Sequence, residues 1–281
     1  MEAAVTPTRL DLAPLAPKAL KNAARLWFAV AAAGQWVFAV YVAIHYGGWA
    51  ARGDLTHWNK TLPHGYVPGE TMANGILAAH LLFAALITSA GTLQLIPQIR
   101  ARFPAFHRWV GRSYMAAALA MALSGLYLTL SGRRVVGDLS QHLATEANAL
   151  LILLCAGMAW RLAVRRDFAL HRAWALRLFL VVNGVWFFRV GLMLSFILYG
   201  GPFGFDPDTF RGPFLSFLGI AQYALPLAVL QLYLFMQRRG DAAGRLATAA
   251  LIVLLTVAMG IGIFGAVMGL WLPRITPLLA G

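Results

Sequence analysis

Apolar residues in this chain come in long blocks, not in the alternation of half-buried strands. Seven blocks reach the ~20 residues that a helix needs to cross a bilayer. They fall at roughly 25–46, 75–97, 109–131, 145–164, 173–199, 213–236 and 246–271. Short segments rich in glycine, proline and charge separate them: "RGDLTHWNKTLPHGYVPGE", "PQIRARFPAFHR", "SGRRVVGDLSQH", "RRDFALHR", "GGPFGFDPDTFRGP" and "QRRGDAAGR". The pattern predicts an all-α fold, a polytopic transmembrane helical bundle of about seven spans. Residues 1–24 read as a cytoplasmic arm with amphipathic character ("PKALKNAARLW"). Residues 25–271 read as one transmembrane domain with a core bundle at about 75–199. Residues 272–281 read as a short periplasmic tail.

Composition agrees with the blocks. Hydrophobic residues make up 60% of the 281 and charged residues 12%. The mean hydropathy is +0.70. A soluble domain cannot hide that much apolar surface, so part of the solvent is lipid. The formal charge of +13 sits in clusters between the blocks and not in a basic domain, which excludes a nucleic-acid partner. With the N-terminus inside, sixteen of the 23 Lys and Arg face the cytoplasm and six face out. Arg189 is left within a span. That bias predicts a cytoplasmic N-terminus and an outer C-terminus. Cys155 is the single cysteine, so no disulfide framework and no cysteine zinc site can form. His57 and His64, in the first outer loop with Asp54 and Glu70, read as solvated residues with the makings of a metal catch.

Polar groups inside spans need a reason. On helical rise, His80 of span two lies roughly 9 Å to the outer side of the midplane, Glu146 of span four roughly 13 Å and Arg189 of span five roughly 6 Å. Gln222 and Tyr223 of span six fall near the centre. Burying an unpaired arginine costs ~3 kcal/mol or more, so Arg189 predicts a carboxylate partner, and Glu146 is nearest in depth. A His80–Glu146–Arg189 cluster suits a proton-coupled transporter or sensor, a ligand pocket, or a buried ion pair that fixes packing. Gly262, Gly265 and Gly269 on span seven form a small face for close helix approach.

A second group lies at the inner surface. "FHRWVGRSY" opens span three with His107, Arg108, Arg112 and Tyr114, and "LHRAWALR" opens span five with His171, Arg172, Trp174 and Arg177. Both histidines sit roughly 20 Å inward, at headgroup depth, at helix N-termini whose free N–H groups attract anions. His107, Gly111 and Tyr114 share a face. Arg189 lies eighteen residues beyond His171, five turns, on the same stripe of an unbroken helix. The histidines stand 64 residues apart in equivalent hairpins, the pattern of a parallel repeat. Two readings stand. One is lipid anchoring by Arg and Trp against anionic phospholipids. The other is a phosphate- or propionate-bearing ligand held by these residues. His80, His107, His142 and His171 fall on spans two to five in the order of the cytochrome b561 type. His107 and His171 match in depth as ligands to the iron of haem b, which would give transmembrane electron transfer with quinone or another redox partner. His142 follows "GDLSQ", reads as loop and matches His80 poorly. No phosphate loop, nucleophile elbow, zinc-protease motif or dinucleotide fingerprint is present.

Over about 75–195, "AAHLLFAALITSAGTLQLIPQIRARFPAFHRWVGRSY" and "AVRRDFALHRAWALRLFLVVNGVWFFRV" resemble a bacterial family of predicted multi-pass membrane proteins. That family carries a histidine, then Gly, Gln and Arg, then HR-x-x-GR-x-Y, and later HR-x-W-x-x-R with a deeper Arg. The matching residues are His80, Gly91, Gln94, Arg100, His107, Arg108, Gly111, Arg112, Tyr114, His171, Arg172, Trp174, Arg177 and Arg189. The resemblance implies a bacterial inner membrane and brings no known activity. It implies that these residues act as a set.

Overall fold

The computed structural model describes residues 14–62, 65–130 and 137–279. Residues 1–13 of the arm with Arg9, and His64, Arg133, Arg134 and the last two residues of the tail, lie outside the described residues. Among the described residues the architecture is all-helical, with an isolated Asp206–Arg211 bridge and no strand.

Proline and aspartate set most helix starts, since proline is preorganised for the first turn and aspartate accepts from orphan N–H groups. Helix α1 runs Ala16–Ala51 with Pro17 in its first turn, and it absorbs the later part of the arm. Helix α2 is Thr71–Leu95. Extended backbone at Ile96 precedes Pro97, as proline requires, and starts the short α3, Pro97–Arg102. Pro104 restarts the chain as α4, Pro104–Leu130. Asp138 caps α5, Leu139–Val164, by accepting from the Gln141 N–H at 3.1 Å. Asp167 caps α6, Phe168–Val182, in the same way through Leu170. Helix α7 follows at once, Gly184–Tyr199, and ends at Gly200, whose φ of 72° favours glycine. Helix α8 is Pro213–Arg239, and α9, capped by Asp241, is Ala242–Leu279.

Six of these helices are long and apolar enough to cross a bilayer. The pair α6–α7, bent by 54°, makes a seventh if it counts as one span. The outward faces are apolar, with Leu86, Leu154, Leu254 and Phe264 among the exposed side chains. That surface suits lipid rather than water.

Two cores organise the bundle. Ile87 of α2, Tyr114 and Ala118 of α4, Ile152 of α5 and Val181 of α6 form one. Phe38 and Tyr41 of α1, Leu77 of α2, Trp186 and Val190 of α7, and Met259 and Trp271 of α9 form the other. The fifth span is therefore shared: α6 belongs to the first core and α7 to the second. Glycines let α9 press on α7. A Cβ on Gly262 would meet the Val190 carbonyl, one on Gly265 would lie 2.8 Å from Ile197, and one on Gly269 2.9 Å from Met193. The small face expected on span seven is a packing surface.

Candidate functional site

Pro104 fixes the start of α4, and the helical period puts His107, Gly111 and Tyr114 on one face. That face lies against α2. A Cβ on Gly111 would stand 3.3 Å from Gln94 Oε1, so only glycine leaves Gln94 its place. A Cβ on Gly91 would stand 3.0 Å from the Tyr114 ring and 3.2 Å from Phe179 of α6. Two glycines thus let α2, α4 and α6 close into one seam. Three buried polar atoms along it have no hydrogen-bond partner: Gln94 Nε2, His107 Nδ1 and Tyr114 Oη. Each such atom left unsatisfied costs about 1–3 kcal/mol, so three together ask for a ligand. The charges of Arg100 and Arg108 act on the His107 ring.

His171 sits one turn into α6, and its Nδ1 bonds the Ala159 carbonyl of α5 at 2.8 Å. That bond orients the ring and leaves Nε2 as the other polar atom. The remaining cations sort by contact. Arg177 lies 4.9 Å from the centre of the Trp174 ring and donates to Gln231 of α8 at 2.5 Å, so Arg177 and Trp174 tie α6 to α8. Arg112 lies 5.3 Å from the Trp109 ring, and Trp109 is 67% exposed. This pair faces the surroundings, as lipid anchoring requires. Arg172 is exposed.

The outer triad does not assemble. His80 Nδ1 meets Ser124 Oγ of α4 at 2.8 Å. Arg189 projects over the Phe38 ring of α1 at 5.4 Å. Glu146 is half-buried on α5. The expected Arg189–Glu146 pair is not formed. Among the described residues the ion pair within 4.0 Å is His57–Asp54, at 2.6 Å, with His57 stacked on Trp49. No group of three or more metal-ligating side chains occurs among them. A break separates α6 from α7. It turns the second half-helix by 54°, so Arg189 no longer continues the stripe of His171. His142, expected in a loop, is buried in the first turn of α5.

Two turns below His107 and His171, Tyr114 and Phe179 both approach Gly91.

Sequence reasoning missed two groups. One is the meeting of α1 and α9, where each helix makes a single π turn, Ala43–Gly47 and Val267–Trp271. There Tyr41 stacks on His45 at 5.4 Å and faces Trp271 at 6.0 Å. His45 inside the first apolar block was the available signal. The other is the amides at the break: Asn148, which meets Gln222 beside Gly184, and Asn183, which bonds back to the Phe179 carbonyl; of these only Gln222 is singled out in the sequence. Asn-Gly within "VVNGVW" is a turn signal that the apolar run concealed.

No curated protein and no solved structure matches the chain. The chain is an integral membrane protein with multiple spans, and its residues 77–209, which hold both His-Arg motifs, match the model of the family described as "Predicted membrane protein (DUF2306)".

Proposed function

We propose that the protein binds an anionic group, phosphate or carboxylate, in the seam where α2, α4 and α6 meet. The observation that carries this reading is the set of three unpaired polar atoms, Gln94 Nε2, His107 Nδ1 and Tyr114 Oη. The amide nitrogen can only donate, the phenol can donate, and the imidazole can take the donor tautomer. Their complement is a group rich in acceptors. Arg100 and Arg108, whose charges reach His107, favour one that is negative. The positive-inside count supports placing this end at the cytoplasmic face of a bacterial inner membrane. An anionic phospholipid headgroup of the inner leaflet is then the nearest source. Nothing among these contacts favours haem b on His107 and His171, or the quinone-serving electron transfer built on it. The separation of His80, Glu146 and Arg189 takes support from a proton-coupled transporter on those residues.

The test is thermal unfolding of the purified, delipidated protein with phosphatidylglycerol, phosphatidylcholine or inorganic phosphate added. The expected result is a higher midpoint with phosphatidylglycerol than with phosphatidylcholine, lost in Gln94→Leu and in Arg100→Ala/Arg108→Ala. The same rise with inorganic phosphate identifies a soluble anion as the ligand. Equal midpoints with all three additives sink the reading. A Soret band in the purified protein would return the histidines to iron.

A further inference from the structure

The meeting of α1 and α9 carries a second site. Each helix widens into a π turn there, Ala43–Gly47 on α1 and Val267–Trp271 on α9. Such turns recur at functional places. Three rings are mutually close, centre to centre. Phe38 lies 5.2 Å from Trp271 and 6.0 Å from Tyr41, and Tyr41 lies 6.0 Å from Trp271. Tyr41 and Trp271 are only 2% and 1% exposed, yet Tyr41 Oη and Trp271 Nε1 have no hydrogen-bond partner. An indole N–H can only donate, and a phenol can donate. Buried donors without an acceptor are costly, so both ask for one from outside the chain.

Charge points the same way. Arg189 Cζ lies 5.4 Å from the Phe38 ring. Its Nη1 reaches no further than the Val185 carbonyl of its own helix, at 3.4 Å. The charges of Arg189 and Arg274 both act on Tyr46, which meets the His45 ring at 4.8 Å, and His45 stacks on Tyr41. Among the described residues no carboxylate lies within 4.0 Å of either arginine. A cation in a span without an acid is itself a sign of a ligand.

A groove of about 300 Å³ adjoins these rings. Trp36, Val37, Val40 and Tyr41 of α1 line it with Trp271 and Leu272 of α9. Val37, Val40 and Leu272 are exposed, so the groove opens on the apolar surface of the bundle. Its wall suits an alkyl tail, and its volume, at the small end for ligand sites, suits one tail and not two.

We infer that the groove takes the tail of a long-chain monocarboxylate, a fatty acid of the surrounding bilayer, and that the carboxylate accepts from Tyr41 Oη and Trp271 Nε1 under the charges of Arg189 and Arg274. Both donors lie beneath the surface of the groove, so entry of the head turns at least one of the two rings. The site shares no residue with the anion seam and stands without it.

The experiment is equilibrium binding of radiolabelled oleate to the full chain in nanodiscs of phosphatidylcholine. It is run at alkaline pH, where the fatty acid is ionised, with protein-free nanodiscs as the baseline. The expected result is a saturable component above that baseline, displaced about tenfold less well by oleyl alcohol than by unlabelled oleate. Tyr41→Phe and Trp271→Phe keep a ring, remove a donor and should each weaken binding about tenfold. Arg189→Gln should erase the preference for oleate over the alcohol. Val40→Trp fills the groove from an exposed position and should abolish the saturable component, which gives a readout even if a variant of the buried rings fails to fold. Oleate uptake equal to that of protein-free nanodiscs overturns the proposal. So does full affinity in both phenylalanine variants or in Val40→Trp, and so does equal displacement by oleyl alcohol. Phosphatidylglycerol is absent throughout, so failure here leaves the anion seam untouched.

Discussion

At the start of α4, Arg112 lies 5.3 Å from the Trp109 ring, and at the start of α6, Arg177 lies 4.9 Å from the Trp174 ring. The same three-residue spacing gives the same cation–π pair at both places. Beyond that the two helix starts part. His107 faces α2 with an unpaired Nδ1, beside a glutamine and a tyrosine that are also unpaired. The Nδ1 of His171 is held by the Ala159 carbonyl, and its neighbour Arg177 is held by Gln231. Helix α4 then runs unbroken to Leu130, while α6 stops at Val182. The echo in sequence is therefore one of local geometry. One copy is saturated by tertiary bonds and fixes the bundle. In the other, Gln94 Nε2, His107 Nδ1 and Tyr114 Oη have no partner within the chain.

The seam of the unsaturated copy depends on Gly91, and the strongest test is to fill it. Gly91→Leu adds atoms where a first carbon already meets Tyr114 at 3.0 Å and Phe179 at 3.2 Å. Overpacking of this kind costs about 1–3 kcal/mol and should also abolish the phosphatidylglycerol response. Gly157 on α5 has open space around it. Gly157→Ala should be neutral or stabilising by up to ~1 kcal/mol, because only helix propensity changes. Unfolding midpoints of the two variants read the contrast directly. Next in size is the arginine pair. Arg177→Ala loses both a charge-assisted bond to Gln231 and its ring contact, about 2 kcal/mol together. Arg112→Ala loses an exposed ring contact worth about 0.5–1 kcal/mol. Equal effects would erase the distinction between a tie and an anchor.

The histidines sharpen the same point at smaller scale. His171→Ala removes a bond to a buried carbonyl and should cost about 1 kcal/mol. His107→Ala removes an atom that already lacks a partner, so the fold should stay within about 0.5 kcal/mol of wild type while the anion response falls. A stability loss in His107→Ala as large as in His171→Ala would mean that both histidines are structural.

Hydropathy alone makes the spans legible, because lipid demands long apolar runs and leaves little room for other solutions. The true helix starts lie at Pro104, Asp138 and Asp167, several residues ahead of the apolar runs, because proline and aspartate open a helix with polar first turns that hydropathy does not count, and His142 reads as loop for that reason. The His107–Gly111–Tyr114 face follows from helical spacing, and Gly91 and Gln94 from the family pattern. The break at Asn183 was masked because 173–199 is predominantly apolar, and its Asn-Gly pair is the sole local mark. Missing the break also misplaced Arg189, since a stripe argument holds only along one straight helix. The meeting of Tyr41 with Trp271 joins residues 230 positions apart. Neither π turn has a local signature, so that contact is fixed by packing.

The smallest effect concerns how the two copies begin. Asp138 caps α5, whose carbonyl at Ala159 holds His171. A hydrogen bond from the Ser140 hydroxyl, and then one from the Gln141 N–H, hold the Asp138 carboxyl below its ordinary range. A depressed folded value means that the stabilisation is complete above the unfolded value and is lost as pH falls through the folded one. Asp138→Asn keeps the cap and deletes the charge. At neutral pH the wild type should therefore unfold at a slightly higher temperature than Asp138→Asn. The gap should close in acid, below the ordinary aspartate range. The carboxyl is partly exposed, so added salt should narrow the gap as well. A gap that stays constant from neutral pH down into acid would show that the carboxylate contributes shape and no charge. The first turn of α5 would then be fixed by its packing alone, and His171 would owe its bonded state to the core and not to the cap.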